Sequence, residues 1–205
     1  MIGPASNRVI EDGDLISMGL SPTFNGYHGI LRRTIRVGEK FTPGQHRFMD
    51  AVEGLYHAVM KAAQKAARKN LPSNSIDRAG KKFLERLKLR TLTGKRDTPW
   101  EPYTFIHNTG CSECQEGFGA VTPYTDCPLG KRVALMIDIA LLGFKGSPDE
   151  PLFDILYGVI EDGFWKQGRK VGVYNRLPLD VQPLVGNEDD LDGNVNPYYQ
   201  PYRSR

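Results

Sequence analysis

The sequence predicts an α+β fold, because strand-like and helix-like segments follow one another in separate blocks. Residues 14–37 have the pattern of a β-hairpin: a short apolar strand, turn residues at Pro22, Asn25 and Gly26, and a second extended stretch. Two amphipathic helical patterns come next, and residues 132–144 then form the most strand-like segment. The order of hairpin, two helices, strands and a further helix is that of the α+β class.

The first helix is predicted to begin at Thr42, which is a good N-cap residue. Pro43 suits the first helical position and Gln45 completes a capping box. Apolar residues then recur at helical spacing, namely Phe48, Val52, Leu55, Tyr56, Val59, Met60 and Ala63. A second helix is predicted from about residue 73 to Leu87. Both helices therefore present one apolar side to a core.

The second half of the chain predicts a strand that ends at His107, a Gly-rich loop over residues 110–119 and a third amphipathic helix from Asp149. That helix would carry Leu152, Ile155, Leu156, Val159, Ile160 and Phe164. After Gly186 the sequence becomes acidic and then rich in Tyr and Pro. We therefore predict a domain over residues 1–186 and a tail over residues 187–205 that is disordered or docked on a partner.

Composition limits the classes of protein to consider. The chain has 205 residues, of which 40% are hydrophobic and 25% charged, as in an ordinary globular domain. The net charge of +3 is too small to indicate a nucleic acid or an anionic membrane as partner. No apolar run approaches the ~18 residues of a membrane span, and three cysteines do not form a secreted disulfide framework. We expect a cytoplasmic protein.

The segment GDLISMGLSPTFNGYHGILRRTIRVGE, residues 13–39, resembles the first metal-ligand hairpin of the pita-bread superfamily, which includes creatinase, aminopeptidase P, prolidase and methionine aminopeptidase. The matching anchors are Gly13-Asp14, Gly26-Tyr27, Arg33-Thr34 and Val37-Gly38. The order of the two helices, the strand ending at His107 and the Met-Glu-Pro-like strand LMIDIA extend the resemblance over roughly residues 3–185. It implies a pita-bread fold, here shortened at its N-terminus, and a homodimer.

Peptidases of this superfamily hold two divalent metals with two Asp, one His and two Glu, since hard divalent ions prefer oxygen ligands. By the resemblance, the two Asp positions are taken by Gly19 and Ile30, neither of which has a ligand atom in its side chain. The His is retained as His107, and the first Glu is replaced by Asp138. The last Glu position falls near Asn175 or Arg176. We therefore predict that the chain holds no metal and no other cofactor.

Creatinase-like members also lack both metal Asp residues, and their retained His is an acid/base for metal-free C–N hydrolysis of a small guanidino compound. The resemblance thus implies that His107 shuttles the proton, because imidazole titrates near neutrality. Asp138 would orient it or hold a cationic substrate, and Glu116 is a candidate second carboxylate. Arg176 suits a carboxylate-bearing ligand. His28 and Cys114 are candidate cleft-lining residues for substrate.

Three functions stay open at this point. The first is metal-independent C–N hydrolysis of a small amino-acid-like or guanidino-like substrate or a short peptide. The second is a catalytically silent homologue that binds a peptide or a protein, and the third is a metal-dependent aminopeptidase with displaced ligands. Two further readings concern single features: His107 as a hydrogen-bonded core residue, and a zinc site built from His107, Cys111, Cys114 and Cys127.

Overall fold

The computed structural model describes residues 7–87, 104–110, 120–145, 154–180 and 195–202. Within these residues the chain forms a six-stranded antiparallel sheet and two helices. The strands are β1 Leu15–Leu20, β2 Thr23–Phe24, β3 Tyr27–His28, β4 Leu31–Arg36, β5 Ile106–Asn108, β6 Arg132–Lys145, β7 Asp154–Gln167 and β8 Lys170–Val173. The helices are α1 Pro43–Lys69 and α2 Asn74–Arg86. The sheet order is β1-β4-β7-β6-β5, with β8 also paired to β7, while β2 and β3 form a separate two-stranded ribbon.

The predicted N-terminal hairpin is present. β1 and β4 pair antiparallel along their whole length, and the β2–β3 ribbon forms the tip of the hairpin. Asn25 and Gly26 join β2 to β3, and both have positive φ, 50° and 80°. A turn with two positive φ values matches the right-handed twist of the strands, which is why Asn-Gly occurs here.

Helix α1 begins as the sequence predicts. The Thr42 side chain accepts a hydrogen bond from the Gln45 backbone N–H at 3.1 Å, and the Gln45 side chain accepts one from the Thr42 backbone N–H at 2.8 Å. Asn70 ends the helix in the left-handed conformation. The two reciprocal bonds satisfy backbone donors that a helix start otherwise leaves free.

The hydrophobic core lies between α1 and the two long strands. Alternate residues of β6 and β7 share one face of the sheet, so Ile137, Ile139 and Ile160 pack with the apolar side of α1. Phe48 of α1 sits against Gly158 of β7, where a Cβ atom would lie 2.2 Å from its ring. The opposite face of the same strands carries the polar residues described below.

The prediction of a third helix from Asp149 is wrong, because Asp154–Gln167 is strand β7. It pairs with β6 from Arg132↔Gln167 to Lys145↔Asp154. β7 is central and covered on both faces, so consecutive residues such as Val159 and Ile160 are both buried. Burial on both faces removes the period of two that identifies a strand. Apart from Gly110, the predicted Gly-rich loop over residues 110–119 lies outside the described residues.

Part of the predicted C-terminal tail contacts the sheet. The Asn196 side-chain amide donates to Asp162 Oδ2 at 3.1 Å, the Tyr198 side chain is buried, and the Trp165 indole N–H donates to the Gln200 carbonyl at 3.1 Å. The division of the chain at residue 186 stays a prediction. Neither described helix is long and apolar enough to cross a membrane.

Candidate functional site

A row of side chains crosses four strands of the sheet on the face away from α1. Gly19 of β1 lies opposite Arg32 of β4, Arg32 lies opposite Glu161 of β7, and Glu161 lies opposite Asp138 of β6. Residues directly opposite one another share a face of the sheet. His107 of β5 is paired with Met136, two residues from Asp138 on β6, and so joins the same face.

His107, Asp138 and Glu161 form a compact buried cluster. The His107 Nε2 atom lies 3.6 Å from Glu161 Oε1 and 3.7 Å from Asp138 Oδ2. Its Nδ1 atom donates to the Asn108 carbonyl at 2.8 Å, which sets the orientation of the ring. The exposed fractions of His107, Asp138 and Glu161 are 0%, 2% and 0%. These distances are those of ion pairs rather than of short hydrogen bonds.

Arg32 adds a second cation to the cluster. Its Nε atom lies 2.9 Å from Glu161 Oε2, and its Nη1 atom lies 3.9 Å from Asp138 Oδ2. With the imidazole of His107 opposite the same carboxyl groups, two basic and two acidic groups face one another away from water. Buried charges persist only when they are paired in this way.

The cluster shifts the pKa values of its members. Burial lowers the pKa of His107, but the carboxylates of Asp138 and Glu161 raise it by more, from 6.5 to about 10. Burial raises the pKa of Glu161 to about 7, with His107 and Arg32 opposing that rise and Asp138 adding to it. His107 is therefore a cation at neutral pH.

The donor set does not fit the pair of metals that the resemblance implies. His107, Asp138 and Glu161 each offer one ligand atom within 4.8 Å of the others, which is the number and spacing for a single ion. Gly19 and Ile30 offer none. The Arg32 guanidinium, which stays protonated, already lies against both carboxylates. Within the described ranges, no other group of His, Cys, Asp or Glu has this spacing.

Glu161 and Arg32 are the two site residues that sequence reasoning missed. Glu161 lies in the segment that the sequence analysis predicts as a helix. Once Asp154–Gln167 is a strand, the register places Glu161 opposite Asp138. The signal available in the sequence is a pair of acids, Glu161-Asp162, that directly follows the apolar pair Val159-Ile160.

Of the other predicted site residues, Glu116, Cys111 and Cys114 lie outside the described residues. His28 lies at the hairpin tip, where its backbone N–H donates to the Gly110 carbonyl at 2.9 Å and its Nδ1 atom lies 3.3 Å from Thr23 Oγ1. The tip of the N-terminal hairpin therefore lies next to Gly110, in the segment that follows β5. Cys127 is exposed, and its carbonyl accepts hydrogen bonds from Ser73 near the start of α2.

Arg176 is exposed, and its carbonyl accepts a hydrogen bond from the Asn196 backbone N–H at 3.0 Å. Its neighbour Asn175 donates through its side-chain amide to Asp162, the residue after Glu161. Successive residues of a strand face opposite sides of the sheet, so Asp162 points to the α1 side. The residue opposite Asp138 is therefore Glu161 and not one near position 175. The Asn175 side chain contacts Asp162, which lies on the α1 side of the sheet.

The sequence matches the profile of metallopeptidase family M24 over residues 1–125, more than half of its length, and the chain belongs to this family. Its fold is similar to that of the prolidase from Pyrococcus horikoshii OT3, with a TM-score of 0.57, 19% identity and coverage of 82% of this chain and 42% of that one. For the X-Pro aminopeptidase from Thermotoga maritima MSB8 the TM-score is 0.60 at 19% identity, covering 87% and 44%.

A third similar structure is the dipeptidase PepE from Mycobacterium ulcerans, with a TM-score of 0.60, 19% identity and coverage of 86% of this chain and 42% of that one. At these identities the likeness concerns the fold, and it confirms the predicted pita-bread architecture. The chain spans less than half the length of each of these relatives. A comparison with curated proteins gave no match.

Proposed function

We propose that the chain is a peptidase-like hydrolase of family M24 that cleaves a C–N bond without a metal pair. The observation that carries this proposal is the buried cluster of His107, Asp138 and Glu161 on one face of the sheet. A proton carrier beside two carboxylates is acid/base machinery of the kind that hydrolysis requires. Gly19 and Ile30, at the two positions where the resemblance places metal-binding Asp residues, supply no ligand.

His107 is the proposed proton carrier. Its Nδ1 atom is committed to the Asn108 carbonyl, so Nε2, which faces both carboxylates, is the atom that exchanges a proton. Asp138 orients the ring, and Glu161 supplies the second carboxylate for which the sequence had suggested Glu116. At neutral pH the imidazolium serves as the acid that donates a proton to the leaving nitrogen, while a carboxylate of the cluster takes the proton of the attacking water.

The proposed substrate is a small amino-acid-like or guanidino-like molecule or a short peptide. Relatives of similar fold are named as a prolidase, a dipeptidase and an X-Pro aminopeptidase, all of which are names for enzymes of short peptides. Arg176 stays the candidate for a substrate carboxylate that the sequence suggests, and His28 is a second contact candidate. A cytoplasmic location and a homodimer belong to the same proposal.

The test is turnover by purified protein in the presence of a chelator, on a panel of Xaa-Pro dipeptides and guanidino amino acids. We expect turnover that survives the chelator and falls by about 10²–10⁴-fold in His107→Asn. His46→Asn, an exposed histidine on α1, is the matched control and should keep its turnover. Circular dichroism establishes that both variants are folded. Equal turnover in folded His107→Asn and the unaltered protein would contradict the proposal.

One observation favours the second candidate, a catalytically silent homologue that binds a peptide. The groups of the cluster already pair with one another, since Arg32 lies against both carboxylates, and its members are at most 6% exposed. In that case no substrate turns over, while a peptide from the panel raises the melting temperature or binds by calorimetry. Turnover that a chelator abolishes and manganese restores would instead support the metal-dependent aminopeptidase.

A further inference from the structure

We infer that the guanidinium of Arg32 is a built-in cation that takes the place of a metal ion between Asp138 and Glu161, and that Gly19 provides the space for it. This role of Arg32 in offsetting the charge of the two carboxylates does not depend on whether the chain hydrolyses a substrate.

The position of the Arg32 head group is the first support. It reaches both carboxylates of the cluster, with Nε 2.9 Å from Glu161 Oε2 and Nη1 3.9 Å from Asp138 Oδ2. These are the same two carboxylates that, with His107, have the spacing of a metal site. A divalent ion bound there would stand next to a guanidinium that cannot lose its proton. The cation and the metal therefore compete for one place.

The residue opposite Arg32 is the second support. Gly19 faces Arg32 across β1 and β4, and a Cβ atom at Gly19 would lie 3.2 Å from Arg32 Cγ, 3.6 Å from Nε and 3.7 Å from Cδ. The stem of Arg32 thus runs over the space that a side chain at position 19 would need. Because position 19 is also where the resemblance places a metal-binding Asp, one change removes a ligand and admits the cation.

Charge balance is the third support. Two carboxylates on directly opposite positions repel each other when both are ionised and buried. Arg32 and His107 offset both charges within the cluster. Without Arg32, two carboxylates would share a single imidazolium, and that excess of negative charge attracts a cation. The oxygen and nitrogen donors of Glu161, Asp138 and His107 suit manganese, cobalt or zinc.

The experiment compares manganese binding by the unaltered protein, Arg32→Met and Arg132→Met, by calorimetry and by the electron paramagnetic resonance of free Mn²⁺. Arg132 is an exposed arginine of β6 and receives the same substitution as a matched control. We expect Arg32→Met to bind one ion per chain on the order of 100-fold more tightly than the other two, since a neighbouring cation no longer opposes it. Adding Glu161→Gln to Arg32→Met should abolish that binding.

Arg32→Lys is the second variant, because it keeps a cation in the cluster. It should remain folded and bind manganese as weakly as the unaltered protein does. Tight binding by the unaltered protein that Glu161→Gln removes would overturn the inference, whether or not Arg32→Met folds. Folded Arg32→Met that binds no more tightly than Arg132→Met would overturn it as well. Since none of these measurements is turnover, an inactive protein does not affect the result.

Discussion

Glu161 lies directly opposite Asp138 on the neighbouring strands β7 and β6, and the two carboxyl groups face one imidazole, that of His107. All three side chains are removed from water. In such a place the charge state of one group depends on the others, so the cluster links the protonation of the protein to its stability.

The first prediction is that stability falls as the pH rises from about 6.5 to 10. The pKa of His107 is about 10 in the folded protein against 6.5 for an unperturbed histidine, so its contribution is complete below pH 6.5 and is lost as the pH rises towards 10. Glu161 acts in the same direction at lower pH, since its raised pKa of about 7 makes ionisation between about pH 4.5 and 7 unfavourable to folding. Urea unfolding across this range measures the loss.

The expected size of the loss follows from about 1.4 kcal/mol for each unit of pKa shift, so a few kcal/mol is the order of magnitude. His107→Gln should be less stable than the unaltered protein at pH 6 and should lose less stability between pH 6 and 10. Parallel pH profiles for the two proteins would show that His107 is not the group responsible.

The second prediction concerns Asp162, which joins four parts of the chain. It accepts hydrogen bonds from Arg33 Nη2 at 2.8 Å, from the Tyr56 hydroxyl of α1, and from the side-chain amides of Asn175 and Asn196. Asp162→Ala removes the carboxylate with which the buried guanidinium of Arg33 pairs, and should cost about 3–5 kcal/mol. Equilibrium unfolding in urea measures this cost.

Tyr56→Phe is the control for the Asp162 network. It removes one hydrogen bond to the carboxylate and leaves the ion pair with Arg33 in place, so a cost of about 1.5–3 kcal/mol is expected. A cost of Asp162→Ala no larger than that of Tyr56→Phe would contradict the central role of the ion pair.

Much of the fold could be predicted from sequence because the relevant signals are local. The Asn25-Gly26 turn and the capping box of Thr42 and Gln45 involve residues at most three positions apart, and the structure confirms both. β7 could not be predicted, because its pairing partner and its burial on both faces are set by distant segments. Local pattern is unreliable where tertiary contacts decide the outcome.

The candidate site also contains residues that could be predicted from the sequence and residues that could not. His107 and Asp138 could be nominated because a resemblance placed them on strands. Glu161 and Arg32 depend on strand register, which is specified by the assembled sheet rather than by spacing along the chain. The roles predicted for Glu116 and Cys114 remain predictions, since both residues lie outside the described part of the chain.

The third prediction tests the close approach of α1 to the sheet. A Cβ atom at Gly158 would lie 2.2 Å and 2.5 Å from two ring atoms of Phe48, which is fully buried. Gly158→Ala should therefore destabilise the protein by about 1–3 kcal/mol through overpacking. Gly29→Ala is the matched control, because nothing lies within 4 Å of a Cβ atom there. Thermal unfolding should separate the two variants, and equal melting temperatures would count against this packing.

The fourth prediction tests whether the contacts of residues 195–202 stabilise the domain. Tyr198 is buried, and its hydroxyl lies 2.8 Å from His57 Nδ1 on α1. Tyr198→Ala should cost about 2–4 kcal/mol, as expected when a large buried side chain is removed. Tyr124→Ala, at a side chain that is 90% exposed, should change stability by less than about 0.5 kcal/mol. If Tyr198→Ala left the free energy of unfolding unchanged, residues 195–202 would not belong to the cooperative unit of folding.

The seam between β4 and β7 joins the N-terminal hairpin to the rest of the sheet, and an arginine stands on each of its faces. Arg32 pairs with Glu161 on one face, and Arg33 pairs with Asp162 on the other. A slip of one residue would turn each guanidinium to the wrong face and leave four buried charges without partners. A one-residue misalignment of these two strands is thereby penalised when the hairpin joins the sheet during folding.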